Sequence, residues 1–254
     1  MSGHSKWAQI RRSKGVNDAR RGQLFTRLGR ELVVAVREGG SGDPNANFRL
    51  RMAMQRARDA NMPMDNIERT IKRAVSGSEG SNLEEITYEG YGPGGTAIVV
   101  QTLTDNRNRT VAEVRNAFNR NGGNMGENGC VDWLFEAKGI IEVEMQGHDP
   151  DELSLEVLDL GADDVEPAHP DDEVLTVYTD PSELEKVRQA LEKQHYKIVK
   201  SESTLVPQTK IELAEEKVAH QAIRLIEKLE DLDDVQNVYT NADFSEAFAA
   251  SYGA

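Results

Sequence analysis

The sequence predicts an α+β protein in which a helical N-terminal domain precedes two ferredoxin-like α/β domains, the third inserted in the second. Three observations support this prediction. Apolar residues in the first 80 positions recur at the three-to-four-residue spacing of helices. From about residue 84 onward, strand-like runs alternate with helical ones. Residues 139–205 then read as strand, helix, two strands, helix and strand, which is the order of a ferredoxin-like fold.

Three helices are predicted in the first domain, residues 1–80. Asn17 and Asp18 can start the first, and Gly39 and Gly40 stop it. The second is predicted to have Asp43 as its N-cap and Pro44 at its first position. The third is predicted to begin near Asp65, with Asp65 as its cap. The residues expected to face the core are Leu24, Phe25, Leu28, Leu32, Val36, Leu50, Ala53, Met54, Ala57, Ile67, Ile71 and Val75.

The second domain is predicted in two segments, residues 81–138 and 206–254, with the third domain, residues 139–205, between them. The first segment has strands at 96–103 and 131–135 around a helix at 109–120. The second segment supplies a further helix and strand. Together they complete one α/β unit, which makes residues 139–205 an insertion.

The charge of the chain is unevenly distributed. Residues 1–80 carry 16 Lys and Arg against 8 Asp and Glu, a balance of +8, whereas the remainder carries 14 against 36, a balance of −22. Such asymmetry indicates a basic binding module attached to an acidic body, because a ligand feels the local field more than the total. The acidic part has the alternative interpretation of a solvated surface that aids solubility.

Composition also limits the compartment and the chemistry. No apolar run reaches the roughly 18 residues of a membrane span, and the basic N-terminus lacks the apolar stretch of a secretory signal. We therefore expect a cytoplasmic protein that contacts no membrane. The one cysteine, Cys130, excludes an intramolecular disulfide. It is either a small buried hydrophobe or, as the alternative, a nucleophile.

Motifs of catalysis and cofactor binding are weak. Gly90, Gly92 and Gly95 match a dinucleotide fingerprint by letter, but a strand rather than a helix follows them, so a turn between two strands is predicted. The five histidines show no metal-ligand spacing. We expect no cofactor, no metal, no small-molecule substrate and no catalytic residue. An enzyme with an unrecognised site stays open, because catalytic residues converge from distant positions.

The strongest functional constellation is a basic segment that surrounds one tryptophan. Lys and Arg attract phosphates independently of sequence, and Trp7 offers a ring on which a base can stack. Alternatively, Trp7 packs on the helical domain and the charges are solvated. The predicted nucleic-acid-binding residues of this segment and of the helix after it are His4, Lys6, Trp7, Arg11, Arg12, Lys14, Arg20, Arg21 and Arg27.

A second candidate site lies where a strand ends and a helix begins, at Arg107 and Arg109. Helix N-termini that carry arginine are good anion sites. The alternative is that this asparagine-rich segment and the nearby loop at residues 122–129 only cap the helix and form turns.

Several motifs resemble the YebC/PmpR family of transcriptional regulatory proteins. They are Gly3-His4-Ser5-Lys6-Trp7, Phe25-Thr26, Arg37-Glu38-Gly39-Gly40, Ala60-Asn61-Met62-Pro63, Asp65-Asn66-Ile67-Glu68-Arg69, Tyr88-Glu-Gly-Tyr-Gly-Pro-Gly-Gly95 and Leu103-Thr-Asp-Asn-Arg-Asn-Arg-Thr110. The resemblance departs at Gln9, Arg12 and Phe48, where the family more often has Asn, His and Pro.

The resemblance implies a three-domain, cytoplasmic, DNA-binding protein of bacterial type. It also implies a relationship to a mitochondrial translational activator of cytochrome c oxidase and to factors that rescue ribosomes stalled at proline runs. The sequence therefore predicts a non-enzymatic regulator of gene expression that binds nucleic acid, with DNA at promoter regions as the expected partner. The alternative is a ribosome-associated translation factor that binds ribosomal RNA. No oligomeric state is predicted.

Overall fold

The N-terminal unit is a bundle of three helices. The chain is described by a computed structural model over residues 18–77, 83–168, 172–245, 248 and 252, and the side chains of residues 18–21 lie outside this description. The helices are α1 (Asp18–Gly39), α2 (Phe48–Asp59) and α3 (Met64–Val75). Leu32, Leu50 and Ile67 are fully buried at their contact. The predicted apolar periodicity thus forms one core.

Three details of the helix prediction were wrong. Helix α3 begins at Met64 with Pro63 at its N-cap position, so Asp65 lies inside the helix and does not cap it. The N-cap of α2 is Asn47, whose side chain accepts the Leu50 N–H, and not Asp43. The helix begins at Phe48, so Pro44 precedes it and is not its first residue. Asp43 instead accepts the Asn45 N–H in a turn that precedes the helix. Val75 is 61 % exposed rather than buried, because it lies on the last turn of α3 and extends past the core.

The rest of the chain alternates strands with helices. In chain order the elements are β1 (Glu84–Tyr91), β2 (Ala97–Thr104), α4 (Arg107–Arg120), β3 (Asn124–Met125), β4 (Phe135–Glu144), α5 (Pro150–Asp159), β5 (Asp164–Val165), β6 (Val174–Thr179), α6 (Leu184–Lys193), β7 (Ile198–Pro207), β8 (Ile211–Leu213), α7 (Glu216–Glu230), β9 (Val235–Thr240) and β10 (Ala242–Phe244). The predicted α+β class is confirmed.

The first sheet has the order β3-β1-β2-β9, and every neighbouring pair in it is antiparallel. Helices α4 and α7 cover one face, where Phe118 and Leu225 are buried against Ile98. The two central strands, β1 and β2, are consecutive in the chain, whereas β9 comes from its C-terminal part. The glycine tract between β1 and β2 forms the predicted turn, with a short 3₁₀ segment at Pro93–Gly95.

The second sheet has the order β5-β6-β4-β7 and is antiparallel throughout. Helices α5 and α6 pack on it through a core that contains Ile141, Leu153 and Leu191. This strand order is the one expected of the βαββαβ unit. The domain limits at residues 80, 138 and 205 stay a prediction.

A predicted strand at residues 131–135 was wrong in its bounds. Asp132–Leu134 is a 3₁₀ turn, and β4 starts only at Phe135 and continues to Glu144. The pairing with β7 explains the difference, since Phe135 already pairs with Pro207 and extends one strand across the predicted boundary. In the parts of the chain that the structure describes, no helix is long and apolar enough to cross a membrane.

Candidate nucleic-acid interface

The predicted basic segment lies largely outside the described residues. His4, Lys6, Trp7, Arg11, Arg12 and Lys14 precede the description, and Arg20 and Arg21 are described only by their place in the first turns of α1. The segment therefore immediately precedes, and partly overlaps, α1 of the N-terminal helical bundle, which we call the basic unit. Its role as a nucleic-acid ligand stays a prediction.

Arg27, another predicted ligand of nucleic acid, contacts the C-terminal part of the chain. Its guanidinium donates to the carbonyl of Glu230 and, at 3.4 Å, to that of Leu232. One turn later on α1, Arg30 donates to the Asp233 carbonyl at 2.8 Å and to the Asp234 carboxylate at 3.0 Å. The outer face of α1 thus docks on the turn between α7 and β9.

Asp234 is the centre of this docking contact and is only 2 % exposed. Besides Arg30, its carboxylate accepts hydrogen bonds from Arg109 at 2.7 Å, Thr110 at 2.8 Å and Thr104 at 3.1 Å. Burial acts to raise the pKa of Asp234, but the hydrogen bonds from Arg109, Thr110 and Thr104 outweigh it and leave that pKa below its ordinary value. Asp234 is thus an ionised, fully paired group that joins α1, β2 and α4.

The two arginines of the second candidate site have different surroundings. Arg109 bonds to Asp234 and, at 2.8 Å, to Asp105, and these hydrogen bonds raise its pKa. Arg107 is exposed at the first residue of α4, which Asn106 caps by accepting the Arg109 N–H. Two carboxylates offset the charge of Arg109, so Arg107 is the stronger candidate of the two for an anion.

Helix α2 also directs arginines at the acidic body. Arg49 forms ion pairs with Glu38 and with Glu85 at the start of β1. Arg56 pairs with Glu31 at 2.8 Å and reaches the Ser203 carbonyl of β7 at 3.4 Å. Together with Arg27 and Arg30, these arginines direct part of the positive charge of the N-terminal helices into contacts within the molecule.

Three other cations of the basic unit face solvent. Arg58 on α2 and both Arg69 and Lys72 on α3 are at least partly exposed. They add to the positive field of the unit because none is buried in a contact with the acidic body.

Sequence reasoning missed an ordered loop at residues 126–133. The carboxylate of Glu89, which is 6 % exposed, accepts three backbone N–H groups: Gly129 at 2.6 Å, Val131 at 2.9 Å and Asp132 at 2.8 Å. This loop carries Trp133, which is 68 % exposed. The sequence signal for this loop was the position of Trp133 shortly after the glycine-rich stretch at residues 122–129.

Cys130 lies in the same loop and is partly buried. Burial, followed by the nearby negative charge of Glu89, raises the pKa of its thiol. A raised pKa keeps the sulfur protonated near neutral pH, and this disfavours the alternative of a nucleophile. Across the described residues, no group of three or more His, Cys, Asp or Glu side chains is placed to hold a metal ion.

Known proteins resemble the chain over almost its whole length. A model of the TACO1/YebC N-terminal domain matches residues 5–77, and a model of the TACO1/YebC second and third domain matches residues 83–242. A protein of Chloroflexus aurantiacus, named a probable transcriptional regulatory protein, is 55% identical over 256 residues and covers 100% of both chains. One of Dehalococcoides mccartyi with the same description is 50% identical over 252 residues, 99% of this chain and 98% of its own.

A solved structure is also similar to this fold. The crystal structure of a conserved hypothetical protein from Aquifex aeolicus superposes with a TM-score of 0.80 at 46% sequence identity. The match covers 90% of this chain and 93% of that one. Most of the fold thus belongs to an arrangement already observed by crystallography.

Proposed function

This chain belongs to the TACO1/YebC family, and on that basis we propose that it is a cytoplasmic regulator of gene expression that binds nucleic acid through its basic N-terminal segment. Its relatives are named as regulators of transcription rather than as enzymes. We propose duplex DNA as the first ligand to test, with DNA-dependent regulation of transcription as the function.

The observation that carries the proposal is that some arginines of the N-terminal domain contact the acidic body, whereas a group of cations precedes these contacts in the chain. Arg27, Arg30, Arg49 and Arg56 contact the acidic body. Residues 1–21 precede these contacts and hold six Lys and Arg against one Asp. A segment with this surplus attracts phosphates by releasing counterions from the nucleic acid.

A second candidate function is supported by Trp7. It lies among Lys6, Arg11 and Arg12, and an aromatic ring between cations suits unpaired bases of structured RNA better than a closed duplex. This supports a ribosome-associated translation factor as the alternative. Cross-linking of bound nucleic acid in cells, followed by sequencing, separates promoter DNA from ribosomal RNA.

The direct test replaces Arg11 and Arg12 by Ala in the full chain. A matched control replaces Lys186 and Lys193 on α6, which removes the same charge from the acidic part. Affinities for duplex DNA and for structured RNA are measured as a function of salt concentration. We expect the Arg11/Arg12 variant to bind both ligands more weakly, and on duplex DNA to reduce the log-log salt slope by about 0.9 for each phosphate that is no longer neutralised.

Two results would contradict the proposal. One is that the unmodified chain binds neither nucleic acid at low salt. The other is that the Lys186/Lys193 control loses as much affinity as the Arg11/Arg12 variant, which would show that only total charge matters.

A further inference from the structure

Two exposed aromatic side chains converge on one backbone carbonyl in the loop at residues 126–133. Tyr91, at the end of β1, is 42 % exposed, and Trp133 is 68 % exposed. The Tyr91 hydroxyl donates to the Cys130 carbonyl at 3.0 Å, and the Trp133 indole N–H donates to the same oxygen at 3.3 Å. Both polar groups are therefore bonded within the protein, and a ligand meets mainly the ring faces.

The loop that carries Trp133 is held by hydrogen bonds to Glu89, a buried residue of β1, the strand that ends at Tyr91. Glu89 on β1 fixes Gly129, Val131 and Asp132 through its carboxylate and accepts the Gly126 N–H at 2.8 Å through its carbonyl. The neighbouring Gly90 is also constrained, since a Cβ there would lie 2.6 Å from the Asn124 carbonyl oxygen. A contact surface fixed in advance loses little conformational entropy when a ligand binds.

The small size of this apolar surface favours a planar ring over a protein partner. The other large exposed apolar side chains lie on other elements: Phe48, Met64 and Val75 on the helical bundle and Leu155, Leu158 and Val199 on the unit of the second sheet. A stable protein interface buries roughly 1,200–2,000 Å² in total, which two rings cannot supply. A nucleobase needs only one ring face on which to stack.

The loop around Trp133 has open space and exposed charges near it in the chain. A Cβ at Gly129, in the same loop, would meet nothing within 4 Å. Two exposed cations are Arg120, at the end of α4, and Lys210. Lys210 lies two residues after Gln208, whose N–H donates to the Leu134 carbonyl.

Glu127 and Asp132 lie in the same loop and offset these cations. The site therefore supplies stacking, and the phosphate attraction comes from the N-terminal segment. We propose that Tyr91 and Trp133 form a stacking site for unpaired bases of nucleic acid. This inference rests on the proposed binding of nucleic acid and adds a second contact, which is used where the bound nucleic acid has unpaired bases.

The test compares a single-stranded oligonucleotide with the duplex of the same sequence, using the full chain. We expect Trp133→Ala to weaken binding of the single strand by about 5- to 150-fold, the usual effect of removing one base stack, and duplex binding by less than about twofold. Tyr91→Phe keeps the ring and removes the bond to Cys130. It should weaken single-strand binding less than Trp133→Ala does. Leu155→Ala is the matched control, because Leu155 is 66 % exposed and lies on α5.

A spectroscopic measurement reports stacking directly. The chain has two tryptophans, so Trp7→Phe leaves Trp133 as the one remaining indole. Its fluorescence should be quenched when the single strand saturates the protein, and much less by the duplex. Thermal melts of each variant show whether the fold is retained.

The outcomes separate this inference from the proposed function. Unchanged Trp133 fluorescence together with wild-type affinity of Trp133→Ala would overturn the stacking site, while weaker binding by the Arg11/Arg12 variant would leave the proposed function intact. Equal losses on both ligands, with a lowered melting temperature, would assign Trp133 to loop structure instead. A full chain that binds neither ligand would overturn both proposals.

Discussion

Replacing Asp234 by Asn tests whether one buried carboxylate holds the helical bundle on the acidic body. The substitution keeps the shape of the side chain and removes its charge. It also puts an NH₂ group in place of one carboxylate oxygen, either the one that accepts from Arg30 or the one that accepts from Arg109, Thr104 and Thr110. At least one of these donors then faces another donor. We expect the protein to fold with a weaker contact between α1 and the turn before β9.

The expected loss of stability depends on how exposed the hydrogen-bond donors to Asp234 are. A hydrogen bond to a charged group contributes about 1.5–3 kcal/mol when its partners are buried. Here the side chains of Arg30 and Arg109 are 27 % and 43 % exposed, so water rehydrates them and their share is small. Thr104 and Thr110 are each 1 % exposed and gain no such hydration. The expected loss in the free energy of unfolding is therefore about 2 kcal/mol, or a fall in Tm of about 4–8 °C.

The assay is urea and thermal unfolding of the wild type, Asp234→Asn and the control Asp231→Asn, which changes an exposed carboxylate of the same turn. A double-mutant cycle with Arg30→Ala measures the coupling between α1 and Asp234. The folded pKa of Asp234 is lowered, so its contribution is complete above the unfolded value of about 3.9 and is lost as the pH falls through the folded value. The two stability curves should then converge in acid. Equal stabilities at pH 7, or a difference that persists in strong acid, would refute this reasoning.

Two further predictions concern the basic segment and the loop thiol. Trp7→Ala should weaken binding to structured RNA by about 1–3 kcal/mol and change duplex DNA binding little, because a closed duplex offers no base to stack. Parallel titrations at one salt concentration measure both affinities. Equal losses on the two ligands would argue against stacking. Alkylation of Cys130 should reach half of its maximal rate at a higher pH than that of an ordinary thiol, because burial and Glu89 raise its pKa. Alkylation rates measured by stopped flow or mass spectrometry over a pH series give this half-maximal pH. A value equal to or below that of an ordinary thiol would contradict the raised pKa of Cys130.

The parts of the fold that depend on local pattern were predictable from the sequence. Leu28 and Leu32 on α1, like Ala53 and Ala57 on α2, are buried at the four-residue spacing of a helix. The second sheet contains one continuous segment of chain. The bounds of β4 were not predictable, because they depend on pairing with β7 about 70 residues later.

The candidate site was less predictable for the same physical reason. Arg30 and Asp234 are separated by 204 positions, so the sequence gives no sign that one neutralises the other. A count of charges therefore overstated the field that the basic unit offers to a ligand. Tyr91 and Trp133 likewise donate to the same Cys130 carbonyl although 42 positions separate them, and Glu89 holds the loop that contains this carbonyl.

The pairing of β2 with β9 has a consequence for synthesis of the chain. Gln101 on β2 bonds to Asn237 on β9, 136 residues further on, so the first sheet cannot close until the C-terminal part has left the ribosome. The strands of the second sheet lie between these partners in the chain, at residues 135–207, and are complete well before that point. Until β9 arrives, β2 presents an open apolar edge, the kind of strand on which nascent chains aggregate. Vectorial folding thus makes the arrival of β9 the step that removes this hazard.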